Sequence, residues 1–511
     1  MMTQEQIADI KALEKRIKDQ GYSSICFLLV AYSIGGGTRY FIDLATAIAK
    51  YTTLTVYYAD YEGGYAYDYF ERNPMLNVHN LKFNIYDKVW PIDDPMIIVT
   101  SSTKIVQIKK MNKQNKVVLW HFETVPCAWD WLMFNKEEKK FIKIANLTNS
   151  LCYHDWSARD ILSWQFNEPL DKKKYLQVYC LQDEKNEPIF KESLVNDKEI
   201  NVVWVGRLVP DKINSLYNII DNYAKYKTSR IKRLHIIGDG LKREELLKYV
   251  KKYTNCIQFI FKGVVPYDEL RNYLVKNCDI AFSMGTSIID CAAYGLPSAV
   301  VFLSNKRFNE NEYYWIYNAK EYCVGINVEQ KDRFGVSYCS LENMIDSIIS
   351  KEGMTSISQK CYDYYQKNHS NFGEIVIKVL QYAIETEFTY DKILKLLKFT
   401  PYNIIEQYDL RINNLLIKKT VKFGEYVYFY LGKWLVYNKL LDDQNRFIRF
   451  GFFRCKPNIK LTGNKRWNSI DKNSQNVKFR MGKLTITKCF HIGWKFPGSL
   501  FRENKSEKVG E

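Results

Sequence analysis

Nothing in the sequence pairs its cysteines. The 12 are scattered from Cys26 to Cys489, with no C-x-x-C spacing. That pattern shows neither a zinc ribbon nor a disulfide framework, and it fits a reducing compartment. Long apolar runs are also missing. No stretch of about 18 apolar residues occurs, so no membrane-spanning helix is expected. The segment Met1 to Gln20 is charged and helical in pattern and lacks the apolar centre of a signal peptide. The expected location is therefore cytoplasmic. There is no convincing D-x-D motif, so neither a metal nor any other cofactor is expected. No recognised nucleic-acid-binding motif accompanies the formal charge of +17, so nucleic acid is not the expected partner.

What is present is globular. Hydrophobic residues make up 46% and charged residues 26% of 511 positions, enough for two or three domains. The charge is uneven. From Pro401 onward there are 22 Lys and Arg against 9 Asp and Glu, a net of +13, and the preceding 400 residues carry only +4. A basic tail on a nearly neutral body suggests an anionic partner, with a membrane surface the foremost candidate.

Short apolar runs alternate with amphipathic segments through both halves of the body. In the first half, Ser24 to Val30, Leu54 to Tyr58, Met96 to Thr100 and Val117 to Trp120 read as strands, and Arg39 to Lys50 has helical spacing. A polar stretch from Gln182 to Glu187 interrupts the pattern. It restarts with strands at Asn201 to Val205, Leu234 to Ile237, Ile257 to Phe261, Ile280 to Phe282 and Ser298 to Phe302, separated by helices. Continuous apolar runs of this length suit parallel strands covered on both faces. The expectation is α/β: two Rossmann-like doubly wound domains, 1–180 and 199–371. A helical segment at 372–399 and a basic, aromatic-rich extension at 400–511 follow them.

The residues that carry chemistry cluster at the ends of the second-half strands. Gly206-Arg207 follows a strand, and Lys212 lies in the helix that comes next. A glycine there lets a ligand approach the backbone, Arg207 offers a planar phosphate fork, and Lys212 a compact charge. A tight turn followed by solvated charges explains the same residues. Gly238-Asp239-Gly240 and Lys262-Gly263 end the next two strands and are, taken singly, turns. Gly285-Thr286-Ser287 stands where a strand gives way to a helix N-terminus, an arrangement suited to anions. Asp290, three residues further, could accept bonds from ribose hydroxyls; a first-turn cap and acid account for it equally. In the first half, Gly35-Gly36-Gly37-Thr38 follows the first strand. His121 lies just past a strand end, where open α/β sheets form ligand crevices, with Glu123 a lesser candidate. His154 reads as structural or acceptor-side.

In order and spacing, Gly206-Arg207, Lys212, Gly238-Asp239-Gly240, Gly263 to Pro266 and Asp290 to Pro297 resemble the donor half of glycosyltransferase family 4, whose members are retaining GT-B enzymes. The resemblance covers about residues 200–300 well and 21–180 loosely, and does not reach the tail. It implies a GT-B fold with the two domains facing a cleft. It implies that Arg207 and Lys212 bind the donor diphosphate, that Asp290 binds the ribose, that Gly36, Gly37 and Thr38 face the cleft, and that His121 is a cleft histidine, with His121, Arg207 and Lys212 the expected catalytic residues. Gly206, Gly238, Gly263, Gly285, Thr286 and Ser287 complete the expected binding set. The family's Glu-x7-Glu pair is broken here, with Phe282 at the first position and Asp290 at the second. The Met284-Gly-Thr-Ser287 loop is similar to one in bacterial capsule and surface-polysaccharide enzymes, where hydroxyls and amides take over the missing contacts.

The resulting expectation is transfer of a sugar from a nucleoside-diphosphate sugar to a glycan or lipid-linked acceptor. A catalytically inactive binding protein of the same fold and a nucleotide-sugar epimerase are the alternatives. The tail, with six aromatics between Tyr426 and Tyr437, is expected to hold the chain at the inner face of a membrane. The bland reading of the tail is a small accessory domain with a solvated basic surface.

Overall fold

The computed structural model describes residues 2–30, 35–82, 90–101, 111–122, 135–170, 172–180, 187–195 and 197–396, and eight strands between residues 405 and 491. Glu123 lies outside the described residues. The first half is built on six strands: β1 (Ser24–Leu28), β2 (Thr55–Asp60), β3 (Val78–Lys82), β4 (Ile97–Ser101), β5 (Lys116–His121) and β6 (Leu151–Tyr153). They lie in the order β3-β2-β1-β4-β5-β6, every pair parallel. β1 and β4 are buried at every position, as strands covered on both faces must be. Helices α1 (Gln4–Asp19), α2 (Gly36–Tyr51), α3 (Tyr65–Arg72), α4 (Asn135–Leu147) and α5 (Trp156–Phe166) accompany this sheet.

The second half repeats the plan. Strands β7 (Glu199–Val205), β8 (Ile231–Ile237), β9 (Gln258–Gly263), β10 (Ile280–Ser283), β11 (Ser298–Val300) and β12 (Tyr314–Trp315) form a sheet of order β12-β11-β10-β7-β8-β9. Only the β11–β12 pair is antiparallel. Helices α6 (Pro210–Lys225), α7 (Arg243–Val250), α8 (Tyr267–Asn277) and α9 (Thr286–Ala293) connect the strands, and α10 (Lys331–Phe334), α11 (Leu341–Ser347) and α12 (Lys351–His369) follow. Both sheets reverse strand order at their centre, between β1 and β4 and between β7 and β10. Ligands of doubly wound sheets bind outside the carboxyl ends of the strands at such a reversal. Two doubly wound sheets of this kind are what the expected α/β, two-domain GT-B arrangement requires.

The long helical stretch expected over 372–399 is two helices, α13 (Phe372–Glu385) and α14 (Tyr390–Leu396). The break has a cause in the first sheet. Val117 N–H donates to Phe388 O at 2.9 Å, and the Thr386 hydroxyl donates to Val117 O at 3.0 Å. Extended backbone is therefore needed beside β5. Phe388 fills the core there with its ring 5.3 Å from that of Phe141. The chain thus returns to the first half after completing the second. α1 packs on α13 and buries Ile10, Leu13 and Ile17, and the two helices share caps. Gln6 Oε1 accepts from Thr3 N–H (3.0 Å), while its Nε2 donates to Asn371 Oδ1 (2.7 Å), the N-cap of α13. A cap of this type contributes about 1 kcal/mol.

The basic, aromatic-rich extension contains strands. Strands β13 (Ile405–Ile412), β14 (Leu415–Phe423), β15 (Tyr426–Leu431), β16 (Trp434–Lys439), β17 (Ile448–Phe450), β18 (Phe453–Cys455), β19 (Asn476–Met481) and β20 (Leu484–His491) lie there. Six form an antiparallel sheet, β16-β15-β14-β13-β20-β19, and β17 pairs with β18. The aromatic segment read as an interfacial anchor is the β15–β16 hairpin. In β15 tyrosine alternates with Val427, Phe429 and Leu431, a period of two that belongs to a strand and not to a helix. Among the described residues no helix is long and apolar enough to cross a membrane.

Candidate functional site

Three glycines line up across the carboxyl ends of β7, β8 and β9. Gly206 N–H donates to Ile237 O at 2.9 Å, and Gly238 N–H donates to Gly263 O at 2.7 Å. Gly238 has φ +129°, and a Cβ on it would lie 2.0 Å from Gly206 O, so no side chain fits. The loop after β7 is tied to the loop after β8. Leu208 N–H donates to Asp239 O, and Lys242 N–H to Leu208 O, both at 2.9 Å. The Asp239 carboxylate is used locally, accepting from Gly240 N–H (2.7 Å) and Arg243 Nη1 (3.0 Å). Gly238-Asp239-Gly240 therefore shapes the rim. Gly263 has φ +65°, with open space where a Cβ would stand.

On this frame sit the cations. Arg207 is exposed and has no polar partner among the described residues. Lys212 is half-buried in the first turn of α6, which begins at Pro210. Pro at that position costs no hydrogen bond, because the first N–H groups of a helix have no partner within it.

Opposite, across the reversal between β7 and β10, is the start of α9. Its N-cap, Gly285, has φ +63° and ψ −142°, a backbone state open in practice only to glycine. Gly285 N–H donates to Val324 O at 2.7 Å, which fixes the loop. Thr286 and Ser287 are half-buried. Phe282, at the position of the missing acid, is fully buried in β10 with its ring edge-on to Tyr313, 5.1 Å between centroids. That position serves the core here.

The first half meets this loop. Gly36 and Gly37 are the first two residues of α2. A Cβ on Gly36 would lie 3.7 Å from Thr286 Cγ2, and one on Gly37 would lie 3.4 Å from the Phe122 ring. Thr38 is buried in the same turn. Two helix N-termini thus converge, and neither has an acidic residue in its first turn. Their partial positive charges are left to attract an external anion.

Asp290 lies on α9, half-buried, and its Oδ1 accepts from the Cys180 thiol at 2.6 Å. The neighbouring Tyr179 carbonyl accepts from the Tyr40 hydroxyl of α2 at 3.2 Å. Burial, with the charge of Asp290 added, pushes the Tyr40 hydroxyl well above its ordinary pKa. The residue expected to meet a ribose is thus held against the segment that ends the first half. Sequence reasoning missed Cys180, because a lone cysteine in an apolar run carries no signal.

His121 is the last residue of β5 rather than the first after it, and it is buried. Its carbonyl accepts from His154 N–H at 3.1 Å. The next residue, Phe122, is the one that meets Gly37. His154 sits 3.0 Å from Asp155 Oδ2, and Asp155 N-caps α5 through a bond from Ala158 N–H. This pair holds the turn after β6, in keeping with a structural role for His154.

No protein-family profile matches the chain, and no curated protein matches it. Solved structures do at low identity. A structure described as the lipopolysaccharide outer core galactosyltransferase WaaB, apo form, is 13% identical over 68% of this chain and 97% of its own, with a TM-score of 0.43. An alpha-glucosyltransferase (AGT) in complex with UDP is 11% identical over 68% and 96%, with a TM-score of 0.36. The Candida albicans trehalose-6-phosphate phosphatase N-terminal domain is 12% identical over 72% and 97%, with a TM-score of 0.44. These scores are too low to decide function, which rests on the residues of the cleft.

Proposed function

We propose that this chain is a glycosyltransferase that moves a sugar, a hexose by the resemblance, from a nucleoside-diphosphate sugar to a glycan or lipid-linked acceptor. The observation that carries the reading is the meeting of the α2 and α9 N-termini at Gly36 and Thr286, with Arg207 exposed in the loop after β7 and the glycine row Gly206, Gly238 and Gly263 at the carboxyl ends of β7, β8 and β9. The reading assigns a diphosphate to the backbone N–H groups and hydroxyls of these two helix starts, neither of which has an acid in its first turn, with Arg207 and Lys212 supplying the cations.

In this reading the barrier is cleavage of the anomeric C–O bond toward an oxocarbenium-like state. Charge gathers on the departing diphosphate. Arg207, Lys212 and the start of α9 stabilise it where it develops, which is the most effective place to do so. The chain's own cations fill the role a metal takes elsewhere, so none is part of the proposal. Asp290 reaches the ribose by exchanging its bond from Cys180. His121, buried at the end of β5, is assigned as the catalytic histidine on the strength of the resemblance. No carboxylate is assigned as a nucleophile, and the expected course is front-face transfer with retention. Surface-polysaccharide assembly at the cytoplasmic face of a membrane is the setting that the resemblance of the Met284 to Ser287 loop supports.

The test is turnover. The full chain, given UDP-, GDP- and ADP-sugars with a panel of glycan and lipid-linked acceptors, is expected to release one nucleoside diphosphate and form an α-linked product from an α-linked donor. Nucleotide binding without turnover of any donor would favour the binding-protein reading, for which the buried Phe282 already speaks.

A further inference from the structure

Five non-glycine residues among those described have a positive φ, and three of them are asparagines, which tolerate it. The other two are consecutive: Glu321 (φ +47°) and Tyr322 (φ +64°). Side chains of this size persist in the left-handed region only where their surroundings hold them there. Here the surroundings come from the first half of the chain. The Glu321 carboxylate accepts from Arg159 Nη2 of α5 at 2.9 Å, from Lys173 Nζ at 2.5 Å and from the Tyr175 hydroxyl. The Glu321 carbonyl accepts from the N–H of Trp156, the first residue of α5, at 3.1 Å. Arg159 is fixed in turn. Its Nε donates to the Tyr175 hydroxyl oxygen (2.9 Å) and its Nη1 to Leu170 O (3.1 Å). Tyr322 packs against the core of the first half, with its ring edge-on to Tyr175 at 5.6 Å. Burial raises the Glu321 carboxyl, but hydrogen bonds from Lys173 and Tyr175 and the charge of Arg159 outweigh it and hold the group below its ordinary pKa.

The other end of the same segment holds the start of α9. Val324, two residues past Tyr322, supplies the carbonyl that accepts from Gly285 N–H at 2.7 Å. A Cβ on Gly325 would lie 3.2 Å from Met284 Cβ, so the two backbones approach closely there. The chain from 321 to 324 thus runs from a clasp on the first half to the bond that fixes the N-cap of α9. Returning Glu321 or Tyr322 to extended backbone would redirect the chain and carry Val324 O out of hydrogen-bond range. A second contact of α5 with the second half bypasses the turn. Gln330 Nε2 and Arg333 Nη2 donate to Asp160 Oδ2 at 2.8 and 2.7 Å.

We propose that Glu321 is a positioning residue for the start of α9: seated on Arg159, Lys173 and Tyr175, it keeps the Glu321–Tyr322 turn left-handed and so places Val324 O against Gly285. The proposal rests on the proposed function only in taking the start of α9 as the seat of the donor diphosphate. Where it is, the clasp and the diphosphate favour each other, because a coupling between two sites is reciprocal.

Hydrogen exchange on the full chain reads the link directly, in the peptide that carries the Gly285 amide. Glu321→Ala is expected to speed that amide at least about fivefold, the lower end of ordinary coupling between sites, while the amides of β7 and β8 keep their wild-type rates. A general loss of stability would instead raise all of these together. Arg333→Gln, which removes the ion pair with Asp160 and leaves the turn alone, is expected to leave the Gly285 amide unchanged. Should Glu321→Ala lose its fold by circular dichroism, Glu321→Gln takes its place, with a rise of at least about twofold expected. Calorimetric titration with UDP, GDP and ADP reads the consequence for the site. The diphosphate that binds the wild type should bind Glu321→Ala at least about fivefold more weakly and Arg333→Gln equally well. A Gly285 amide unchanged in the Glu321 variants overturns the proposal. So does an equal rise in Arg333→Gln, which would make docking in general the cause. If no diphosphate binds the wild type, the proposed function falls, and the Gly285 amide still decides whether Glu321 positions the start of α9.

Discussion

Gly36 and Thr286 face each other across the cleft, one from each doubly wound half, with 3.7 Å between the Cβ that Gly36 lacks and Thr286 Cγ2. That spacing is ordinary van der Waals contact for a methyl group, and a bulky side chain would have to push past Thr286. Gly36→Ala is expected to keep donor turnover within about threefold, and Gly36→Trp to lose at least about tenfold in kcat/KM. Melting temperature should move by only a few degrees, because the residue lies at a helix end beside the cleft. Steady-state kinetics with thermal melting checks both.

The glycine row separates two kinds of constraint. Gly238→Ala meets a backbone oxygen at 2.0 Å and a left-handed φ together, so it should cost about 3 kcal/mol or more. Gly263→Ala meets open space and pays only for its φ of +65°, about 1–2 kcal/mol. Urea unfolding of the two variants should show that order.

Asp290 and Cys180 make another pair that substitution can divide. Asp290→Ala removes the carboxylate proposed for the ribose and should weaken donor binding about tenfold, the worth of a hydrogen bond to a charged group. Cys180→Ser keeps a donor for Asp290 and should change donor binding by less than about threefold. Calorimetric titration with the donor nucleotide separates them.

Stability should fall in acid through identifiable groups. Burial holds His235 and His369 to a pKa of about 4. Below pH 6.5 the unfolded chain takes up protons that these rings refuse when folded. Their contribution is complete above about 6.5 and is lost as pH falls toward 4. Glu14 acts lower on the scale. Burial raises its carboxyl, but hydrogen bonds from Lys18 and Thr53 more than offset this and bring it to about 2. Its contribution is present above about 4.5 and is lost as pH falls toward 2. Urea midpoints should decline from pH 6.5 downward, and His369→Asn should flatten the upper part while keeping a donor for Val178 O.

The parts legible in the sequence were those with a strong period. The strands of both halves are continuous apolar runs, and their order with the helices between them gave two doubly wound sheets. The motif at Gly206, Gly238 and Gly263 was legible as turns, but the stacking of the three side by side was not. It depends on which strands are neighbours, and strand order is a long-range property. Phe282 shows the same limit, because its place in the core follows from contact with Tyr313, 31 residues away. The Cys180–Asp290 contact joins residues 110 apart and has no local signature. In the tail, composition drew attention from periodicity. Tyr426 to Leu431 alternates tyrosine with Val427 and Phe429, a strand pattern hidden by a segment aromatic at four of six positions.

The central claim is that Arg207 and Lys212, with the two helix N-termini, hold a nucleoside diphosphate. Thermal melting of the full chain with UDP, GDP, ADP and CMP, beside the Arg207→Ala/Lys212→Ala variant, tests it most directly. The account predicts that one diphosphate raises the melting temperature of the wild type and that the variant loses this response while melting, without ligand, within a few degrees of the wild type. No shift with any nucleotide, or the same shift in the double variant, would contradict it.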